Sequence, residues 1–183
     1  MRPILRSWHS SRADVFVGVA AQMRETATGG QLVNRLMTLT AERPPLGTTI
    51  ATYAFGGSEK TTDGPITKLA FNPLFRHGKL MDYFPNGRDT AMINWPVFKT
   101  SMEIISGASG GPVVGPNGSI FAVNTSGVNG FADISYVTPI DFILDAIIDD
   151  VIIPPDATPR SYKLRDLARR GFIRYNPPFP TRA

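Results

Sequence analysis

Ser109 stands in the run Gly107-Ala108-Ser109-Gly110-Gly111-Pro112, a single hydroxyl among small residues. A hydroxyl so placed can attack an acyl carbon, and the attack leaves a negatively charged oxygen that needs hydrogen-bond donors already in position. The backbone N–H groups of Gly107 and Ser109 lie two residues apart and can converge on one point when glycine supplies the conformation of the bend. Gly110 and Gly111 keep side chains away from the reacting bond, and Pro112 stiffens the exit into Val113 and Val114. A plain glycine-rich hairpin turn is the competing reading. The six-residue run, followed by Val-Val and the turn Pro116-Asn117-Gly118, favours a nucleophile loop. Serine is a weak nucleophile at neutral pH, so this chemistry also requires a base to take its proton and a carboxylate to orient that base.

The carboxylate has a candidate in Asp14, which immediately precedes the apolar run Val15-Phe16-Val17-Gly18-Val19. Its alternative role is that of an acid at the surface end of a strand. Asp82, Asp89 and Asp133 are weaker rivals, because none precedes such a run. The base is harder to place. The two histidines are His9, five residues before Asp14, and His77, within Phe75-Arg76-His77-Gly78-Lys79-Leu80, and both read as surface histidines.

The Gly107–Pro112 run resembles the Gly-x-Ser-Gly-Gly-Pro signature of the trypsin-like, chymotrypsin-fold serine peptidases, in their cysteine-free bacterial form. The resemblance extends over roughly residues 13 to 150. Val97-Phe98-Lys99-Thr100-Ser101-Met102-Glu103-Ile104-Ile105 is similar to the strand and loop before the nucleophile, and Gly118–Thr125 to the strand that lines the primary pocket. Ile134–Asp141 is similar to the last strand as it turns into a C-terminal helix, and Asp14 with its apolar run to the strand of the catalytic aspartate. Ala108 departs from the pattern, since an acidic or polar residue is frequent there.

The resemblance implies an all-β, chymotrypsin-like double β-barrel with a C-terminal helix. It also implies Ser109 as nucleophile, Asp14 as orienting carboxylate and the Gly107 and Ser109 N–H groups as oxyanion hole. Asn124, Thr125 and Ser126 would offer backbone groups to an extended protein or peptide substrate. Glu103 falls at the floor of the primary pocket, where a carboxylate would favour a basic side chain before the scissile bond, or else at the surface if the loop differs by one residue. No cofactor and no metal enter this chemistry. The family order places histidine well before aspartate, which neither His9 nor His77 satisfies. The expectation is therefore a first barrel left incomplete, with the catalytic histidine upstream of this chain and the peptidase impaired. The alternative is a non-catalytic pseudoprotease that binds extended peptides or an acidic partner.

The elements that must position these groups read as strands: Val15–Ala20, Thr48–Phe55, Lys79–Phe84, Thr90–Asn94, Val97–Met102, Ser119–Thr125 and Ser135–Val137, with Gly, Pro and Asn between them. Residues 1–47 are expected to form the remnant of the first barrel, 48–153 the second barrel with its helix, and 154–183 a basic, proline-containing tail. The helix is predicted from Thr138-Pro139-Ile140-Asp141, where Thr138 caps and Pro139 takes the first helical position. Its apolar stripe would be Ile140, Ile143, Leu144, Ile147, Ile148 and Val151.

The 183 residues and 42% hydrophobic content support a folded core, and no apolar run reaches membrane-spanning length, so no membrane association is expected. Residues 154–183 hold seven Lys or Arg and two Asp, a net charge of +5 against +4 for the whole chain. The high isoelectric point thus belongs to the tail, and no nucleic-acid partner is expected for the barrel. With zero cysteines and no apolar segment of secretory length near Met1, the expected compartment is the cytoplasm.

Overall fold

The computed structural model describes residues 4–10, 12–20, 37–128, 131–153 and 155–176. Along the chain run β1 (Ile4–His9), β2 (Phe16–Ala20), β3 (Thr49–Ala54), β4 (Glu59–Asp63), β5 (Ile66–Ala70), β6 (Leu74–Phe84), β7 (Val97–Thr100), β8 (Pro112–Val114), β9 (Ile120–Val128) and β10 (Phe131–Pro139). A turn of 3-10 helix (Ile140–Ile143), β11 (Ile147–Val151), β12 (Arg160–Lys163) and α1 (Leu164–Arg169) follow. The chain divides into two compact units, Leu39–Asp141 and the pair of segments Met1–Thr38 and Phe142–Ala183.

The fold is all-β, and Leu39–Asp141 holds a closed barrel of strand order β10-β7-β6-β3-β8-β9. Every neighbouring pair in it is antiparallel. Closure leaves no barrel strand with a fully open edge, and side chains fill the interior. The alternation of β3 shows why this sequence closes: Ile50, Thr52 and Ala54 point inward and are buried, while Thr49 and Tyr53 face out. Ile50, Leu80, Phe98, Met102, Val113, Phe121 and Val137 make the core, with Phe98 packed edge-on against Phe121 at 6.1 Å between ring centres. A second cluster joins Ile93, Val97 and Tyr136 to Trp95, whose indole N–H donates to Thr138 Oγ1 at 3.0 Å.

Two long strands of this barrel, β3 and β6, are joined by the hairpin β4–β5, in which every residue is exposed. Its pairing runs from Glu59 opposite Ala70 to Asp63 opposite Ile66, leaving Gly64 and Pro65 as the loop. Gly64 has φ +56°, and proline then fixes a negative φ, the order required by a type II′ hairpin turn. Three hydrogen bonds staple the hairpin's base: Ser58 Oγ donates to the Phe55 carbonyl (2.7 Å), Asn72 N to Ser58 Oγ (3.3 Å) and Asn72 Nδ2 to the Gly57 carbonyl (2.9 Å).

Thr90–Asn94 does not form the expected strand. The Asp89 carboxylate accepts the N–H groups of Ala91 (2.9 Å), Met92 (2.6 Å) and Ile93 (3.3 Å), which gives this backbone a partner outside any ladder. Those bonds, led by Met92, together with the Arg88 guanidinium, hold the Asp89 carboxyl well below the usual carboxylate range.

The unit formed by the chain's two ends contains two ribbons, β1–β2 and β11–β12. Here the expected helix at 138–151 is corrected. Only Ile140–Ile143 is helical, as one 3-10 turn, and Ile147–Val151 is a strand paired with β12. The register explains the misleading pattern. Ile148 lies opposite Tyr162 and Val151 opposite Arg160, so one extra residue is inserted as a bulge at Asp149–Asp150, where Asp150 takes φ +56°. The bulge spaces the buried Ile148 and Val151 three apart, which mimics a helical period. A helix does occur near the C-terminus at Leu164–Arg169, burying Leu164 and Leu167. It is anchored by Leu164 N to the Ala146 carbonyl (3.1 Å), Arg165 N to the Leu144 carbonyl (3.0 Å) and a two-pronged contact of the Arg165 guanidinium with Asp145 (3.0 and 3.1 Å).

Candidate active site

Ser109 is exposed on the loop between β7 and β8, at a bend made by two left-handed glycines, Gly107 (φ +83°) and Gly110 (φ +81°). A side chain at either position would strain the backbone, so the glycines around the serine are conformational requirements. The loop closes on itself through Ala108 N to the Ile105 carbonyl and Gly111 N to the Ala108 carbonyl, both 3.1 Å. Among the described residues, neither the Gly107 N–H nor the Ser109 N–H donates to an acceptor. Two donors at an exposed bend beside a hydroxyl are the groups an oxyanion hole needs.

β9 braces the loop. Gly110 N donates to the Asn124 carbonyl (2.8 Å) and Asn124 N to the Gly111 carbonyl (2.9 Å). The Asn124 side chain, 2% exposed, donates through Nδ2 to the Ala108 carbonyl (3.1 Å) and to Thr52 Oγ1 (2.8 Å), and Thr52 Oγ1 donates to the Pro112 carbonyl (2.7 Å). A buried asparagine thus ties both flanks of Ser109 to β3. This corrects the expectation for Asn124: its backbone groups are engaged by the serine loop and its side chain lies in the core, so it positions the loop and does not meet an extended peptide. The Ala108 methyl is 1% exposed in the barrel core, which accounts for a small apolar residue where an acid would be buried.

Thr125 and Ser126 lie differently. β8 pairs with β9 only from Pro112 opposite Val123 to Val114 opposite Ile120, while β10 pairs with β9 through Ser126 and Gly127. Beyond Asn124, β9 is therefore accompanied on its β10 side, and no strand ladder takes its other side among the described residues. The Ser109 hydroxyl donates to the Thr125 carbonyl at 3.0 Å, and Thr125 Oγ1 shares a 2.6 Å hydrogen bond with Thr138 Oγ1.

A cavity of about 320 Å³ opens between Glu103–Ser106, on the lead-in to the serine loop, and Val128, Phe131, Ala132 and Ser135 at the facing ends of β9 and β10. Its first wall is fixed from inside by Ile104 N donating to Ser135 Oγ at 3.1 Å. Glu103 lines this cavity half-exposed, and Arg76 Nε on β6 donates to Glu103 Oε2 at 3.0 Å. A second cavity, about 220 Å³, lies between residues 40–48 and the 115–121 turn, away from the serine loop. Beside it Arg43 is committed to Tyr83 and Asp141.

Asp14 is exposed in the turn between β1 and β2 and belongs to the unit formed by the chain's ends, whereas Ser109 belongs to Leu39–Asp141. The hairpin register places His9 opposite Phe16 and brings His9 Nε2 to 3.8 Å from Asp14 Oδ1, an exposed and loose pair. Spacing alone hid this proximity: five residues apart in the chain, the two groups flank one reversal of direction. His77 is exposed in β6, opposite Ala51 of β3.

No protein-family model matches this chain, and no curated protein matches it. Solved structures do. The inactive form of a serine-to-alanine mutant of Rv3671c from M. tuberculosis H37Rv is 14% identical, with a TM-score of 0.49 over 75% of this chain and 58% of that one. The HtrA-type protease AlgW with a decapeptide is 18% identical, with a TM-score of 0.43 over 60% of this chain and 30% of that one. A mutant of human heparin binding protein (CAP37) is 12% identical, with a TM-score of 0.48 over 78% of this chain and 62% of that one. The chain thus spans less than two thirds of the length of these neighbours.

Proposed function

We propose that the chain is a serine endopeptidase of the trypsin-like kind, with Ser109 as nucleophile and the Gly107 and Ser109 N–H groups as oxyanion hole. The observation that carries this reading is the Ser109 bend itself: an exposed hydroxyl between two left-handed glycines, with two adjacent N–H donors uncommitted. The 320 Å³ cavity supplies the primary pocket, and Thr125 and Ser126, on the open side of β9, supply the strand against which an extended peptide lies. As the chain stands its turnover is low, because the serine hydroxyl donates to the Thr125 carbonyl and not to an imidazole. A missing general base costs a rate factor of roughly a thousand or more while leaving the residual catalysis of an oxyanion hole.

That same hydrogen bond favours the second reading, a non-catalytic module that binds extended peptides or an acidic partner. A serine-directed fluorophosphonate probe separates the two. Labelling at Ser109 that disappears in Ser109→Ala supports the peptidase. A folded chain that resists labelling supports the binding module and sinks the peptidase.

A further inference from the structure

Glu103 lines the cavity on the lead-in to Ser109, and a bare carboxylate there would select a basic side chain. It is not bare. Arg76 Nε meets Glu103 Oε2 at 3.0 Å, and the Arg76 guanidinium is itself fixed by NH1 donating to the Phe75 carbonyl at 3.1 Å. β6 therefore delivers one positive charge to the one acidic group that the described residues bring to the cavity wall. A lysine or arginine entering the cavity would meet a carboxylate already paired and a like charge beside it. Ile104, Ile105, Val128, Phe131 and Ala132 supply the rest of the wall, with Ser106 and Ser135 as its hydroxyl-bearing members. The wall presents somewhat more polar than apolar surface, so an uncharged side chain can enter it without a charge to desolvate and without meeting a like charge.

We infer that Arg76 is a specificity-determining residue: by neutralising Glu103 it turns the cavity toward peptides with an uncharged residue before the scissile bond, and away from basic ones. This rests on the peptidase reading and names the substrate class of that same site. Arg76 and Glu103 are respectively 39% and 40% exposed, so solvent screens the pair and its effect on selectivity is a factor of about five.

The test uses two tripeptide boronic acids, one with a leucine side chain at the boron-bearing residue and one with arginine, titrated into the whole chain. Ser109 Oγ adds to boron, the hydroxyl proton passes to solvent and no group leaves, so binding is read without turnover. The leucine boronate is expected to bind about fivefold or more tighter than the arginine one. Arg76→Ala should erase or reverse that preference by raising the arginine affinity, Arg76→Lys should restore it, and Arg76→Ala with Glu103→Gln should remove the gain in arginine affinity. A purely structural Arg76 would lower thermal stability and leave the ratio unmoved, which overturns the inference, as does an arginine preference in the unaltered chain. If neither boronate binds a chain whose circular dichroism shows it folded, the peptidase reading falls and this specificity falls with it; binding with the wrong preference overturns the specificity alone.

Discussion

The serine loop and the β4–β5 hairpin leave the same barrel within reach of each other, with Gly57 N at the hairpin base donating to the Ser106 carbonyl at 3.3 Å, yet they are secured in opposite ways. The hairpin presents all of its residues to solvent and is secured by its own ladder and the Ser58–Asn72 staple. The serine loop exposes Ser109 but is secured from beneath by Asn124, with Ala108 in the core. Asn124 Nδ2 donates to two acceptors that only the closed barrel brings together, which ties the loop to one geometry while Oδ1 stays without a partner in the core. The loop proposed to carry the nucleophile has that brace. The hairpin does not.

The strongest way to break this comparison is Asn124→Ala, which removes the donor that the Ala108 carbonyl and the Thr52 hydroxyl share and leaves them only the bonds to Gly111 N and the Pro112 carbonyl. Urea denaturation should show a loss of about 2 kcal/mol for the two lost hydrogen bonds, and fluorophosphonate labelling of Ser109 should slow. An unchanged midpoint would mean that the loop is secured elsewhere. Gly107→Ala asks the same question of the backbone. An L-residue at φ +83° costs about 1–2 kcal/mol, and the displaced bend should reduce labelling more than it reduces stability.

A segment of intermediate character sharpens the contrast, since residues 89–93 are secured by one carboxylate. The Asp89 pKa is depressed in the folded chain, so its stabilisation is fully present above the ordinary carboxylate pKa of about 4 and fades as pH falls below it. Asp89→Asn should melt earlier than the unaltered chain at pH 7, with the gap narrowing between pH 4 and pH 2 in thermal scans. A gap independent of pH would deny the carboxylate this role. The smallest effect is expected from replacing Glu59–Ala70 with Asn-Gly: because no side chain of the hairpin is buried, the unfolding free energy from urea denaturation should change by only about 0.5 kcal/mol, with labelling at Ser109 retained.

Much of the barrel was legible because its strands alternate. Thr48–Phe55 was read nearly as it folds, and Val97–Met102 and Ser119–Thr125 became β7 and β9. The Ser109 bend was legible because left-handed backbone demands glycine, and glycines stood there. What escaped did so for local reasons. The hairpin lacks apolar alternation, and its only signal was the Gly64-Pro65 pair at the reversal. A bulge gave β11 a three-residue spacing that resembles a helix, although Ile147, Ile148 and Val151 are β-branched and favour a strand. The bracing role of Asn124 and the pairing of Arg76 with Glu103 were invisible, because each joins residues 16 or more positions apart that only closure of the barrel brings together.

The indole hydrogen bond of Trp95 to Thr138 has a practical consequence. The chain contains two tryptophans, Trp95 inside Leu39–Asp141 and Trp8 in β1 of the other unit. Emission from a Trp8→Phe chain therefore comes from the barrel alone and shifts to longer wavelength as that indole becomes wet, while a Trp95→Phe chain reports on the terminal unit. Overlaying the two melting curves shows whether the units lose their structure together or in succession.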